Sequence, residues 1–241
     1  LSEKLNDAFD RVWDVADELD ISMRTAALVA GYSGIGKSAL VHEVQRPIVE
    51  ARGHFISGKF DQLARNVPYA SLIQAFREMT RQLLTEPAEV LAEYRAAILG
   101  AVAPNGRVIT EVIPEVELVI GAQEPGAPLA PAEAQNRFNL VIESFVRVFA
   151  TGQHPLTLFL DDLQWADLPS LSLVSRFMTD TNTTHMLLVG AYRDNEVDAA
   201  HPLMLTVDRM RATGADIETV AVPPLRPAHV EALVADALLQ H

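Results

Sequence analysis

The stretch Gly31-Tyr32-Ser33-Gly34-Ile35-Gly36-Lys37-Ser38 decides how the rest of the chain reads. It is a glycine, four residues, then Gly-Lys-Ser, with an apolar run over 25–30 before it and an alanine- and valine-rich helical stretch over 39–51 after it. Glycines let such a backbone curl until successive N–H groups point at one anion. Lys37 supplies a point charge for β- and γ-phosphates, and the Ser38 hydroxyl is of the type that ligates Mg²⁺. The helix that follows turns its positive end to the same anion. Gly31, Tyr32, Ser33, Gly34, Ile35, Gly36, Lys37, Ser38 and Ala39 are therefore the candidate nucleoside triphosphate site, a Walker A loop.

Working outward, 241 residues suit one large α/β domain and the start of a second, and 49% hydrophobic residues suffice for a full core. There is no cysteine, which excludes disulfides, Cys-ligated zinc and thiol catalysis. The seven histidines form no H-x-x-x-H pair, and no apolar run reaches 18 residues. Nor does a basic-then-apolar signal pattern open the chain, so a cytoplasmic location is expected. A net charge of −13 opposes nonspecific binding to nucleic acid or anionic membrane. The first residue is Leu1 and the last is His241, inside a helical pattern, so the chain reads as a segment of something longer.

Periodicity predicts an amphipathic helix over 2–20, a strand over 25–30, the post-loop helix, and a second strand over 54–58. A polar connection follows, in which Lys59 or Arg65 could face the nucleotide or a neighbouring subunit, or remain solvated. Helices are expected over 69–84 and 88–102, while 108–120, interrupted by Pro114, reads as helix or short strands. Three prolines and two glycines make 121–131 a loop, and Pro131 suits the first turn of a helix running to 150. Further strands over 155–160, 186–191 and 217–222 alternate with helices over 168–179, 202–211 and 227–240. Such alternation argues for a doubly wound parallel sheet with helical insertions between the second and third strands. The expected division is an ATPase domain over 1–224 and a truncated helical domain over 225–241.

A phosphate loop needs a partner for metal and water. The apolar run Leu156-Thr157-Leu158-Phe159-Leu160 ends in Asp161-Asp162, where strand C-termini gather ligands. Asp161 is the candidate Mg²⁺ ligand opposite Ser38, and Asp162 the candidate catalytic group that orients or activates water. Lys37 and Arg193 complete the catalytic set. Arg193 ends the apolar run Leu187–Tyr192, where its planar cation either contacts the γ-phosphate or pairs with Asp194, Glu196 or Asp167. Gln164-Trp165-Ala166-Asp167 could be a loop that orders with nucleotide state, or plain packing.

With these motifs together, the chain resembles the AAA-like ATPase modules of the STAND class. More closely, it is similar to the predicted ATPase segment of large bacterial hybrid proteins, between a serine/threonine kinase-like domain and GAF and histidine-kinase domains. The stretches GKFDQL, RNVPY, AEAQNRFNLV, LFLDDLQWAD, VGAYRDNEVD and AAHPLM carry the similarity over nearly the whole chain. The resemblance implies an ASCE-type P-loop NTPase sheet of order 5-1-4-3-2. It implies Asp161 and Asp162 as the Walker B pair, Arg193 as a sensor on the fourth strand, and Pro223 or Pro224 near the base. The expected activity is slow, Mg²⁺-dependent ATP hydrolysis used as a signalling switch, with ATP and Mg²⁺ as ligands. ADP, other domains of the polypeptide and nucleotide-dependent self-association are the expected partners. The alternative is a nucleotide-binding scaffold with little hydrolysis. A phosphotransferase ranks below both.

Overall fold

The computed structural model describes residues 24–50, 52–64 and 67–222. The helix expected over 2–20, Arg65, Pro223, Pro224, the helix over 227–240 and the division at 224/225 lie outside the described residues.

Five strands, β1 (Arg24–Ala30), β2 (His54–Lys59), β3 (Leu156–Asp161), β4 (Met186–Tyr192) and β5 (Asp216–Ala221), form one sheet of order β2-β3-β4-β1-β5, every neighbouring pair parallel. This is the order that the resemblance implies, read from the opposite edge. The three central strands are apolar almost without interruption because both faces are covered, and every residue of β3 and β4 is buried. At the edges, β2 alternates over its second half and β5 is exposed or half-buried at every residue but Val220.

Between strands run α1 (Lys37–Glu50), α2 (Ala70–Leu83), α3 (Ala88–Val102), α4 (Gly106–Val112), α5 (Glu115–Ile120), α6 (Pro131–Phe149), α7 (Leu168–Thr179) and α8 (Pro202–Ala212). The ambiguous stretch over 108–120 resolves as two short helices, because Pro114 cannot continue α4 yet suits the start of α5. Helix α1 begins at Lys37, two residues earlier than the pattern suggested, so Lys37 and Ser38 sit in its first turn. Residues 121–130 carry no helix or strand, as expected.

Period-two alternation divides the core. Ala26, Leu28, Ile56, Leu158 and Leu188 join the larger cluster with residues of α2 through α8, whereas Ala27, Val29, Phe159 and Val189 pack with Val41 and Ile48 of α1. Phe76, Phe145, Phe149 and Phe177 anchor the larger cluster, Phe76 meeting both Phe145 and Phe177 edge-on. Burying each ring contributes about 2–3 kcal/mol. Two arginines of α2, Arg77 and Arg81, bond the Glu115 carboxylate at 2.8–3.0 Å and tie α5 to it. The Arg77 guanidinium holds that carboxyl down at about 2.

Register is what builds the site. Ala30 lies opposite Tyr192, and Lys59 opposite Asp161. Gly31, Lys59, Asp161 and Arg193 therefore emerge along one edge of the sheet, at the C-terminal ends of its strands.

Candidate functional site

The loop between β1 and α1 is shaped by its glycines. Gly34 and Gly36 take φ of 74° and 97°, the left-handed region that a side chain disfavours. A Cβ on Gly31 would meet the Val222 carbonyl oxygen at 3.0 Å, so that position is closed to larger residues by close approach. Within the loop, Lys37 Nζ donates to the carbonyls of Gly31 at 2.7 Å and Tyr32 at 2.8 Å. Lys37 is 8% exposed as a residue, and burial lowers its pKa from the ordinary lysine value while Asp161 and Asp162 act to raise it. It is thus a cation held against its own loop by two neutral carbonyls, groups that an anionic oxygen outcompetes.

Ser38 and Asp161 meet as the sequence predicts. Ser38 Oγ donates to Asp161 Oδ2 at 2.9 Å, across 123 residues of chain. Hydroxyl and carboxylate oxygens are hard donors of the kind Mg²⁺ takes, completed by phosphate oxygens and water rather than by an all-protein cage. A protein cation already stands near: Lys59 Nζ lies 3.5 Å from the same Asp161 oxygen and 3.2 Å from Asp162 Oδ2. The bond to Asp162, and then the Asp161 charge, raise its affinity for a proton.

Asp162 turns the chain sharply out of β3, with φ 55° and ψ 43°. A short polar side chain tolerates this left-handed conformation better than most. Its N–H donates to Asp161 Oδ1 at 2.9 Å. Gln164 fixes its carboxylate, donating from Nε2 to Asp162 Oδ1 at 2.9 Å while accepting at Oε1 from the Arg193 backbone N–H at 3.1 Å. Gln164 is only 2% exposed and so locks β3 to β4 just beyond their ends.

Arg193 makes one of the ion pairs that its sequence position offered, and it also approaches the carboxylate pair. Its Nη1 pairs with Glu196 Oε1 at 2.7 Å, its Nε lies 3.5 Å from Asp162 Oδ1, and its guanidinium covers the Trp165 ring at 4.6 Å. The bond to Glu196 raises its already high pKa. Asp167, another candidate partner, instead caps α7 by accepting from the N–H and hydroxyl of Ser170 at 2.8 and 2.7 Å. Trp165 therefore packs under Arg193, within the loop that carries Gln164.

The structure brings Lys37, Ser38, Asp161, Asp162 and Arg193 together with Lys59, which the sequence left open, and with Gln164, whose role it did not reveal. A glutamine two residues after the paired aspartates is the only local signal, and its burial is visible only in three dimensions. The whole arrangement is a glycine-shaped loop beside two carboxylates that Lys59 and Arg193 hold, with the Lys37 ammonium bonded to the loop's own carbonyls.

Comparison with known proteins gives the family and the fold. The family model described as "AAA ATPase domain" matches residues 6–189. Over 151 residues, 63% of the chain, it is 38% identical to the hybrid signal transduction histidine kinase G of Dictyostelium discoideum. Those residues span 4% of that much longer protein. In fold, the chain is similar to the crystal structure of Cdc6p from Pyrobaculum aerophilum, at a TM-score of 0.51 and 11% identity, covering 97% of this chain and 48% of that one.

Proposed function

Since the chain belongs to the AAA ATPase domain family, we propose that it binds ATP with Mg²⁺ and hydrolyses it slowly, as a nucleotide-dependent switch within a larger signalling protein. The observation that carries this reading is the 2.9 Å contact between Ser38 and Asp161, which closes the phosphate loop onto the carboxylate pair.

In this reading the backbone of 31–39 cradles the phosphates. Lys37 leaves the Gly31 and Tyr32 carbonyls for β- and γ-phosphate oxygens. Ser38 and Asp161 would hold Mg²⁺, which supplies charge neutralisation between the phosphates. Asp162, oriented by Gln164, positions and polarises the attacking water. Arg193 senses the γ-phosphate by exchanging its Glu196 and Asp162 contacts for a phosphate oxygen. Lys59 pairs with both carboxylates and shares with Ser38 the Asp161 oxygen that would hold Mg²⁺.

The test is phosphate release and oligomeric state of the protein with ATP, ADP and a nonhydrolysable analogue. Wild type should turn over and change state with ATP, and a Lys37→Ala, Asp162→Asn double variant should do neither. Equal turnover in the two proteins overturns the ATPase reading.

A second reading, a nucleotide-binding scaffold without hydrolysis, draws on the engagement of Asp162 by Gln164, Lys59 and Arg193, which leaves it less available to water. Tight ATP binding with turnover unaffected by Asp162→Asn would select it.

A further inference from the structure

At the other end of the sheet, a cavity of about 650 Å³ opens at the N-terminal ends of β2 and β3. Its volume falls within the range of small-molecule sites. The inner wall is apolar and aromatic, from Met79, Leu83, Tyr94 and Phe149, with His54 and His154 beside them. These rings form a fixed set. Tyr94 stacks on Phe149 at 5.3 Å, His54 meets both edge-on, and His54 and His154 lie 5.7 Å apart. The Tyr94 hydroxyl and His54 Nε2 are hydrogen-bonded at 2.9 Å. His154 donates from Nδ1 to the Arg52 carbonyl at 2.9 Å.

Three features give this cavity a negative character. Glu86 and Glu93 stand at its rim against one guanidinium, Arg52. Helices α2 and α6 both end here, at Leu83 and Phe149, so two partly negative C-termini stand against one partly positive N-terminus, that of α3, whose Val90 also lines the cavity. The field reaches the interior: burial and then the Glu86 and Glu93 charges push the Tyr94 hydroxyl above its ordinary pKa. His54 does not offset it, because burial, with help from His154, lowers its pKa to about 4 and leaves the ring neutral at physiological pH.

We propose that this cavity is a second ligand site, for a flat organic cation such as an aromatic amine or amidine. The ring would lie against the Tyr94, Phe149 and His54 wall, and the cationic head would face Glu86, Glu93 and the two helix C-termini. The site lies outside the phosphate loop and its carboxylates, so it stands whether or not the ATPase reading does. Nucleotide is not its ligand, since the triphosphate would meet carboxylates and helix C-termini instead of amides and lysine.

The experiment titrates the whole chain with three isosteric probes, benzamidine (cation), benzamide (neutral) and benzoate (anion), followed by chemical shifts of Tyr94, His54 and His154. Benzamidine should saturate those shifts with a dissociation constant on the order of 1 mM, as expected for so small a molecule. It should bind about fivefold more tightly than benzamide, with benzoate weakest. Glu86→Gln with Glu93→Gln, both exposed positions that leave the fold intact, should bring benzamidine to the affinity of benzamide. Benzoate binding as tightly as benzamidine, an unchanged benzamidine affinity in the double variant, or no saturable shift with any probe would each overturn the site.

Discussion

The two ends of strands β2 and β3 differ in nearly every respect, though only about 17 Å of extended chain separates them. Where these strands end, Lys59, Asp161 and Asp162 join Lys37, Ser38 and Arg193 in a network of paired charges. Where they begin, His54 and the His154–Pro155 segment face Tyr94, Phe149 and two helix C-termini. The difference follows from parallel topology. Helices that return the chain between parallel strands run against them, so α1 brings its N-terminus to one edge while α2 and α6 bring their C-termini to the other. An anion site at one end and a cation-favouring cavity at the other are two consequences of one chain direction.

The comparison breaks most visibly at the charged end. Lys37→Ala removes the buried ammonium and its bonds to Gly31 and Tyr32, and should lower triphosphate affinity and turnover by at least about 10²-fold. Equilibrium binding of a fluorescent ATP analogue and phosphate release measure both, and unaltered affinity would remove Lys37 from the site. Asp162→Asn should reduce turnover about 10²-fold while changing nucleotide affinity little. Asparagine tolerates φ 55°, so lost activity there cannot be assigned to backbone strain.

Smaller effects test the scaffold between the ends. A Cβ on Gly58 would collide with the Ser71 carbonyl at the start of α2, where Ser71 Oγ also donates to Lys59 at 2.8 Å. Backbone cannot swing aside as a side chain can, so Gly58→Ala should destabilise the protein by about 2 kcal/mol, read from urea denaturation midpoints. A shift below about 0.5 kcal/mol would show that α2 moves freely over β2.

At the aromatic end the expected effect is smaller and depends on pH. His54 has a folded pKa of about 4 against 6.5 unfolded, so the unfolded chain binds the extra proton between these values. Its contribution is therefore present above pH 6.5 and lost as pH falls toward 4, by roughly 1 kcal/mol per pH unit. Thermal denaturation between pH 6.5 and 4.5 should show that slope, and His54→Phe should flatten it. Glu115 acts in the same direction at lower pH, its Arg77 pairing being lost as pH falls from about 4.5 toward 2.

Much of the charged end was legible in the chain because its parts are local. A phosphate loop is eight consecutive residues between a strand and a helix, and Asp161-Asp162 ends an apolar run whose period admits one reading. Even Arg193 could be placed at an edge, though not its choice of partners. Its side chain reaches Glu196 in its own turn and Asp162 from another strand, and distance along the chain distinguishes neither. Lys59 was visible only as a charge in a polar connection, since its meaning depends on the β2–β3 register that sets it opposite Asp161. Gln164 was visible only by its place two residues after the aspartates, for a glutamine in a loop is ordinary until the loop is seen to be buried.

The aromatic end was illegible for the same reason, more strongly applied. His54, Glu86, Tyr94 and His154 come from four separated segments, and each belongs to an unremarkable pattern: a strand start, a helix end, a helix face, a loop. By itself the sequence determined the phosphate loop, the alternation of strand and helix and thus the parallel sheet, because these rest on short-range periodicity and on residue types with narrow conformational or chemical uses. The resemblance added the order of the strands. Only the tertiary structure decided their register, which cations hold the two aspartates, and that a cavity exists behind them. Those depend on packing between segments more than a hundred residues apart, where no local preference reaches.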